Sequence, residues 1–403
     1  MKQTPVLLLT GYLGSGKTTL VNKILSNRKG IKFAVIVNDI GEVNIDASLI
    51  EKDGVVGKKD ESLVSLQNGC ICCTLKMDLV EQIRDIVAMQ RFDYIVIEAS
   101  GICEPEPIAR TICSIPYMGD EYTKGGSARL DCIVTVVDAL RMRDEFSCAK
   151  NLLATNIDED DIENLVIEQI EFCNIVLLNK ASEVTPAELG KIREIVRALQ
   201  PKAEIIECDF GEVSFDSILD TKLFDYDSVA ASAAWITEVE KGADVDDDDD
   251  DDDDEDDHEH EHEGHHHDHG HHHHHHGEGE TEEYGIGTYV YYNRRPFDIN
   301  KFDNFVAKRW PLGIIRAKGM CYFASDPDIC FIFEQAGRQI SLKNAGQWFA
   351  TMPEDELRQQ LRSDAALQRD WDPEYGDRMQ KLVFIGQNLD KELIKSELDF
   401  CLV

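Results

Sequence analysis

The 403-residue sequence contains no apolar run of the roughly 18 residues needed to cross a bilayer, so no membrane association through a span is expected. It has no histidine outside positions 258–276 and no Lys or Arg from Asp244 to Glu283. It also has no apolar residue between Val245 and Tyr284. A stretch without apolar side chains cannot bury a core, and this one is expected to be disordered without a ligand. The missing cations locate the charge. The chain carries −37, but 21 of its 78 acidic residues lie from Asp244 to Glu283, which leaves 57 against 41 Lys and Arg elsewhere. So acidic a chain excludes non-specific binding to nucleic acid, whose phosphates attract Lys and Arg. Val6 to Leu9 is too short for the apolar core of a secretory signal, and no internal repeat is visible. The expected location is cytoplasmic, with reduced thiols, so clustered Cys among the 12 present are read first as metal ligands.

The rest of the chain is ordinary globular sequence, with 42% apolar residues overall. Short Val/Ile/Leu runs at Val6 to Leu9, Phe33 to Val37, Tyr94 to Ile97, Cys132 to Val137 and Ile175 to Leu178 predict buried parallel strands. Amphipathic stretches at Thr19 to Asn27, Met77 to Met89 and Pro186 to Leu199 predict helices between them. That alternation implies a doubly wound, mostly parallel α/β sheet over residues 1–225, whose chemistry belongs at the C-terminal ends of the strands. A linker with the acidic, His-rich tract is expected over 226–284. A small α+β domain follows over 285–403, with strands at Gly287 to Asn293, Gly313 to Phe323, Ile329 to Glu334 and Lys381 to Gly386. Its helices are expected at Phe297 to Arg309, Pro353 to Arg362 and, behind Asp390 as N-cap, Lys391 to Leu398.

Gly11-Tyr-Leu-Gly14-Ser15-Gly16-Lys17-Thr18 has the G-x-x-x-x-G-K-[ST] pattern between a predicted strand and a predicted helix. Backbone N–H groups of such a loop, with Thr19 at the helix start, close on phosphate oxygens. Lys17 is expected at the β- and γ-phosphates and the Thr18 hydroxyl on Mg²⁺. A second apolar strand ends at Glu98, the position of a carboxylate that helps hold Mg²⁺ through a water, and Gly101 could offer its N–H to the γ-phosphate. Asn179-Lys180-Ala181-Ser182 follows a third strand. Asn-Lys-x-Asp reads guanine; here Asn179 and Lys180 fit, but Ser182 stands where the Asp belongs. GTP is expected, with weakened base selectivity.

Cys70-Ile-Cys72-Cys73 places three thiols in four residues, most of a tetrahedral Zn²⁺ shell. Glu42, Cys103 or a visiting His could supply the fourth ligand, and each remaining Cys is expected to be a small buried residue. An auxiliary metal tract is expected at His258, His260, His262, His265, His266, His267, His269, His271, His272, His273, His274, His275 and His276. Neutral imidazoles there suit Zn²⁺, Co²⁺ or Ni²⁺, and the neighbouring Asp residues concentrate cations.

Four segments together resemble the CobW-like GTPases, a family of metallochaperone-type proteins that includes nitrile hydratase activators. These are the phosphate loop, Val37 to Asp46, Asn68 to Cys73 and Ile97 to Gly101. Arg295-Pro-Phe297, Ile315 to Gly319 and Leu382 to Gly386 resemble that family's C-terminal domain. The resemblance implies a GTPase whose GTP or GDP state controls a metal on the Cys trio and its delivery to a client metalloprotein. It also implies a first switch at Asn38 to Asp46, with Glu42 near the metal and Asp46 near Mg²⁺. Val37 replaces an acid that some relatives carry. Two other readings compete: a His-rich metal buffer with a regulatory nucleotide site, and a P-loop kinase, in which the Cys trio would have no role.

Overall fold

A computed structural model describes residues 3–26, 30–37, 63–65, 76–146, 160–230, 284–337 and 339–403. The strands are β1 (Gln3–Thr10), β2 (Phe33–Val37), β3 (Leu63–Ser65), β4 (Tyr94–Glu98), β5 (Ser127–Asp138), β6 (Ile175–Asn179) and β7 (Glu204–Glu207). They form one sheet in the order β3-β2-β4-β1-β5-β6-β7, parallel throughout. Its helices include α1 (Lys17–Leu25), α2 (Lys76–Ala88), α3 (Pro105–Ser114), α4 (Asp160–Glu171) and α5 (Pro186–Leu199).

β1 shows why its sequence is a continuous apolar run. Val6 and Leu8 enter the core on one face of the sheet, with Leu79 and Ile83 of α2. Leu7 and Leu9 enter the other, with Leu20, Val21 and Ile24 of α1. Helices cover both faces, so alternation disappears from the strand and periodicity survives only in the helices. The thiols of Cys132 and Cys173 are buried in these cores, which pushes each up to about 12 and leaves them inert small residues.

The second sheet comprises β8 (Ile286–Asn293), β9 (Ile314–Phe323), β10 (Asp326–Ala336), β11 (Gln339–Gln347) and β12 (Gln380–Gln387), in the antiparallel order β11-β10-β9-β12-β8. Two helices, α6 (Ile299–Lys308) and α7 (Lys391–Cys401), share its aromatic core of Phe297, Phe302, Phe305, Phe333 and Phe384. The expected cap is present, with Asp390 accepting from Leu393 N at 2.9 Å.

β12 lies between two cores. Leu382 and Phe384 face α6 and α7, whereas Val383 and Ile385 join the α2–α4 side of the first sheet's core. Ala336 and Ile286 join the same contact. Within it, Arg316 of β9, only 1% exposed, makes a two-pronged ion pair with Glu171 of α4 at 2.9 and 3.0 Å. Glu334 of β10 binds Lys318 and Lys343; burial alone would raise its carboxyl, but these cations hold it at about 2. The two sheets are therefore joined by an apolar patch rimmed with paired charge. Among the described residues no helix is long and apolar enough to cross a membrane.

Candidate nucleotide site

β1, β4, β5 and β6 run parallel, and their C-terminal ends lie side by side: Leu9 pairs with Glu98, Thr10 with Thr135, and Asp138 with Asn179. The phosphate-loop residues, Glu98 and Asn179 are brought to one sheet edge by this register. The loop turns directly into α1, which begins at Lys17. Lys17 is 7% exposed, and its ammonium donates to Gly11 O at 2.7 Å and Tyr12 O at 3.1 Å. The cation is thus held over the loop's own carbonyls, within reach of any anion the loop receives.

Thr18 Oγ1 donates to Glu98 Oε1 at 2.9 Å, which joins the two residues expected around Mg²⁺ across 80 positions of sequence. Gly16 sits at φ 109°, and a Cβ there would meet Asn179 Nδ2 at 2.3 Å. Asn179 uses that nitrogen to donate to Ser15 O at 2.7 Å, while its Oδ1 accepts from Gly211 N at 3.1 Å. Asn179 therefore ties the phosphate loop to the loop after β7. Gly101 packs against the phosphate loop, with Leu13 N 2.7 Å from where its Cβ would stand. The segment after Glu98 therefore touches the phosphate loop at Leu13.

Lys180 has a left-handed backbone, φ 61°, and its ammonium binds Asp138 Oδ2 at 2.5 Å. Ser182 N and Oγ both donate to Asp209 Oδ1, at 3.0 and 2.9 Å. Gly14, Gly16, Thr19, Lys180, Asp209 and Phe210 are among the residues lining a cavity of about 140 Å³ beside the phosphate loop.

Several of these residues were not singled out in the sequence: Asp138, Asp209, Phe210, Gln169 and Arg141. Gln169 of α4 is buried and donates to Gly101 O at 3.4 Å and Cys103 O at 3.1 Å. Arg141 lies 4.1 Å over the Tyr12 ring. None falls in a recognisable motif, because each is recruited from a strand end or helix far away in sequence. Cys103, a candidate fourth ligand, is fully buried in the apolar core beside α3. Glu42, Asp46, Cys70, Cys72, Cys73 and the thirteen His lie outside the described residues, among which no three Cys, His, Asp or Glu side chains gather as a metal site.

Residues 5–207 match the family model described as CobW/HypB/UreG, nucleotide-binding domain, and residues 286–402 match that of the cobalamin synthesis protein cobW C-terminal domain. The chain is 35% identical over 422 aligned residues to zinc-regulated GTPase metalloprotein activator 1 of Dictyostelium discoideum, covering 100% of this chain and 80% of that protein. It is 32% identical to the Saccharomyces cerevisiae protein of the same name, over 57% of this chain and 53% of the other. It is 30% identical to zinc chaperone CobW of Pseudomonas aeruginosa, over 54% and 60%. Matches over both sheets, in the order found here and with one relative spanning the whole chain, place it by descent: the chain belongs to the CobW/HypB/UreG family of P-loop GTPases and carries a CobW C-terminal domain.

Proposed function

We propose that this GTPase is a metallochaperone that holds a transition metal, Zn²⁺ by preference, on Cys70, Cys72 and Cys73 and hands it to a client protein as GTP is hydrolysed. One observation carries the coupling. β3 runs parallel to β2, β4 and β1, so the chain leaves it at the sheet edge that bears the phosphate loop, and Cys70 follows five residues after Ser65. The names of the relatives, which are zinc chaperones and zinc-regulated GTPases, support zinc as the cargo.

At the phosphates, Lys17 and the loop N–H groups stabilise charge that develops as the γ-phosphate leaves. Thr18 and Glu98 present adjacent hydroxyl and carboxylate oxygens, the hard donors that suit Mg²⁺. Mg²⁺, when bound there, would neutralise phosphate charge. Gly101 and the chain after Glu98 abut Leu13, so contact with the γ-phosphate and its loss are transmitted to that segment. Glu42 is proposed beside the metal and Asp46 beside Mg²⁺, and the His tract as a tethered collector that raises metal concentration near the thiols.

The test is metal analysis and GTP hydrolysis on variants that lack residues 244–283, so that the thiols are the only proposed transition-metal site left. Replacing Cys70, Cys72 and Cys73 with Ser should remove one tightly held Zn²⁺ per chain, and Lys17→Ala should abolish hydrolysis while the metal stays. Zinc retained at full stoichiometry without the three thiols would refute the assignment.

A further inference from the structure

Ser182 occupies the position where a guanine-reading loop carries its carboxylate, and the structure supplies a carboxylate from elsewhere. Asp209 follows β7, 27 residues further along, and Ser182 donates to its Oδ1 from both N and Oγ. We propose that Asp209 is the residue that selects guanine in this protein, with Ser182 as the group that positions it. The inference rests on the reading of Gly11 to Thr18 as a nucleotide site.

Three observations support it. Asp209 lines the same 140 Å³ cavity as Gly14, Thr19 and Lys180, next to the phosphate loop. Its hydrogen bonds among the described residues fall on Oδ1 alone, and a carboxylate has about four lone-pair sites, so Oδ2 is left to accept from a ligand. The loop that carries it is fixed to the phosphate loop through Asn179, which bonds both Ser15 O and Gly211 N. Guanine presents two donors on one edge, N1–H and the 2-amino group. Adenine presents an unprotonated N1 and no 2-amino group there, and its lone pair would face the carboxylate.

Phe210 completes the cavity. It is 72% exposed and sits at φ 53°, a conformation that bulky residues seldom adopt. An aromatic face left open in a polar groove is a surface that a planar base can cover, with the Lys180 stem nearby. Glu183 also lines the cavity, but among the described residues no hydrogen bond fixes its carboxylate as Ser182 fixes that of Asp209.

The experiment measures binding of GTP, ITP, XTP and ATP to the full chain by competition with a fluorescent GDP. Wild type should prefer GTP over ITP, which lacks the 2-amino group, by about tenfold, and over ATP by more. Asp209→Asn should lose roughly 10- to 100-fold in GTP affinity and gain a comparable factor for XTP, whose 2-carbonyl accepts from an amide. That gain cannot come from misfolding. Ser182→Ala should lower the preference for GTP by a smaller factor and give no gain for XTP. An Asp209→Asn protein with the wild-type preference would overturn the inference, as would a switch to XTP caused by Glu183→Gln instead. Wild type that binds all four nucleotides equally would sink this assignment and leave the phosphate loop standing. No binding of any nucleotide would overturn both.

Discussion

Lys17 and Gly16 show how single residues set the phosphate site. The Lys17 ammonium is held by two loop carbonyls, so Lys17→Ala removes both the loop's cross-link and the charge that meets the phosphates. GTP turnover should fall by about 100-fold or more, while thermal melting shifts by only a few degrees. Gly16 combines φ 109° with an Asn179 contact that a methyl group would overlap. Gly16→Ala should cost about 2 kcal/mol in chemical unfolding and abolish GDP binding, because the Asn179 tie and the loop cannot both keep their places. These residues were legible in the sequence, since a phosphate loop is written in consecutive positions. Asp209 was not. It reaches Ser182 only because β6 and β7 are neighbours in the sheet, and nothing in Cys208-Asp-Phe-Gly211 announces a pairing 27 residues back.

Helix α4, together with α5, packs the first sheet against the second. Gln169 on it holds Gly101 O and Cys103 O, next to the phosphate loop, while Glu171 takes Arg316 from the second sheet. Breaking a buried ion pair from one side leaves a charge without a partner. Arg316→Ala should therefore destabilise the protein by about 3 kcal/mol, and the double change with Glu171→Leu should recover much of that loss. Glu168, on the same helix, is pushed up to about 7 by burial and by the charge of Glu104, with Glu171 and Glu334 adding to the rise and Arg316 opposing it. Its raised value means that the folded state binds a proton more tightly than the unfolded chain. The stability this proton contributes is full below the ordinary carboxyl range near 4.5 and is lost as pH rises through about 7. Glu168→Gln should thus raise the melting temperature at pH 8 and leave it nearly unchanged at pH 5; the reverse pattern would refute the assignment.

Elements were readable from sequence where local and tertiary signals agreed. α5 begins at Pro186, as expected, behind a capping box of Thr185 and Glu188. β2 and β6 stood out as uninterrupted apolar runs. β7 escaped because Glu204-Ile-Ile-Glu207 is four residues long with exposed ends, and β11 because it is an exposed, largely polar edge strand. α4 escaped for a different reason. It opens inside the acidic run Asp158 to Asp161, which reads as a charged loop, although Ile162, Val166 and Ile170 behind it keep helical spacing.

At the scale of the whole molecule, two sheets flank a segment with no apolar residue and most of the chain's excess charge. Removing residues 244–283 should leave GTP turnover within about twofold of the full chain, because the contact seen between the sheets among the described residues is made by α4, α5, β8, β9, β10 and β12. The number of weakly held metal ions per chain, counted by equilibrium dialysis, should fall. The central claim is that nucleotide state and metal affinity are linked. Linkage of this kind is worth about 5- to 150-fold in affinity and is reciprocal. The most direct measurement is the Zn²⁺ dissociation constant of the full chain, read by competition with a chelating dye, once with a non-hydrolysable GTP analogue and once with GDP. The affinities should differ by about tenfold or more, and the difference should vanish when Cys70, Cys72 and Cys73 are replaced by Ser. Equal Zn²⁺ affinity in the two nucleotide states would contradict the coupling.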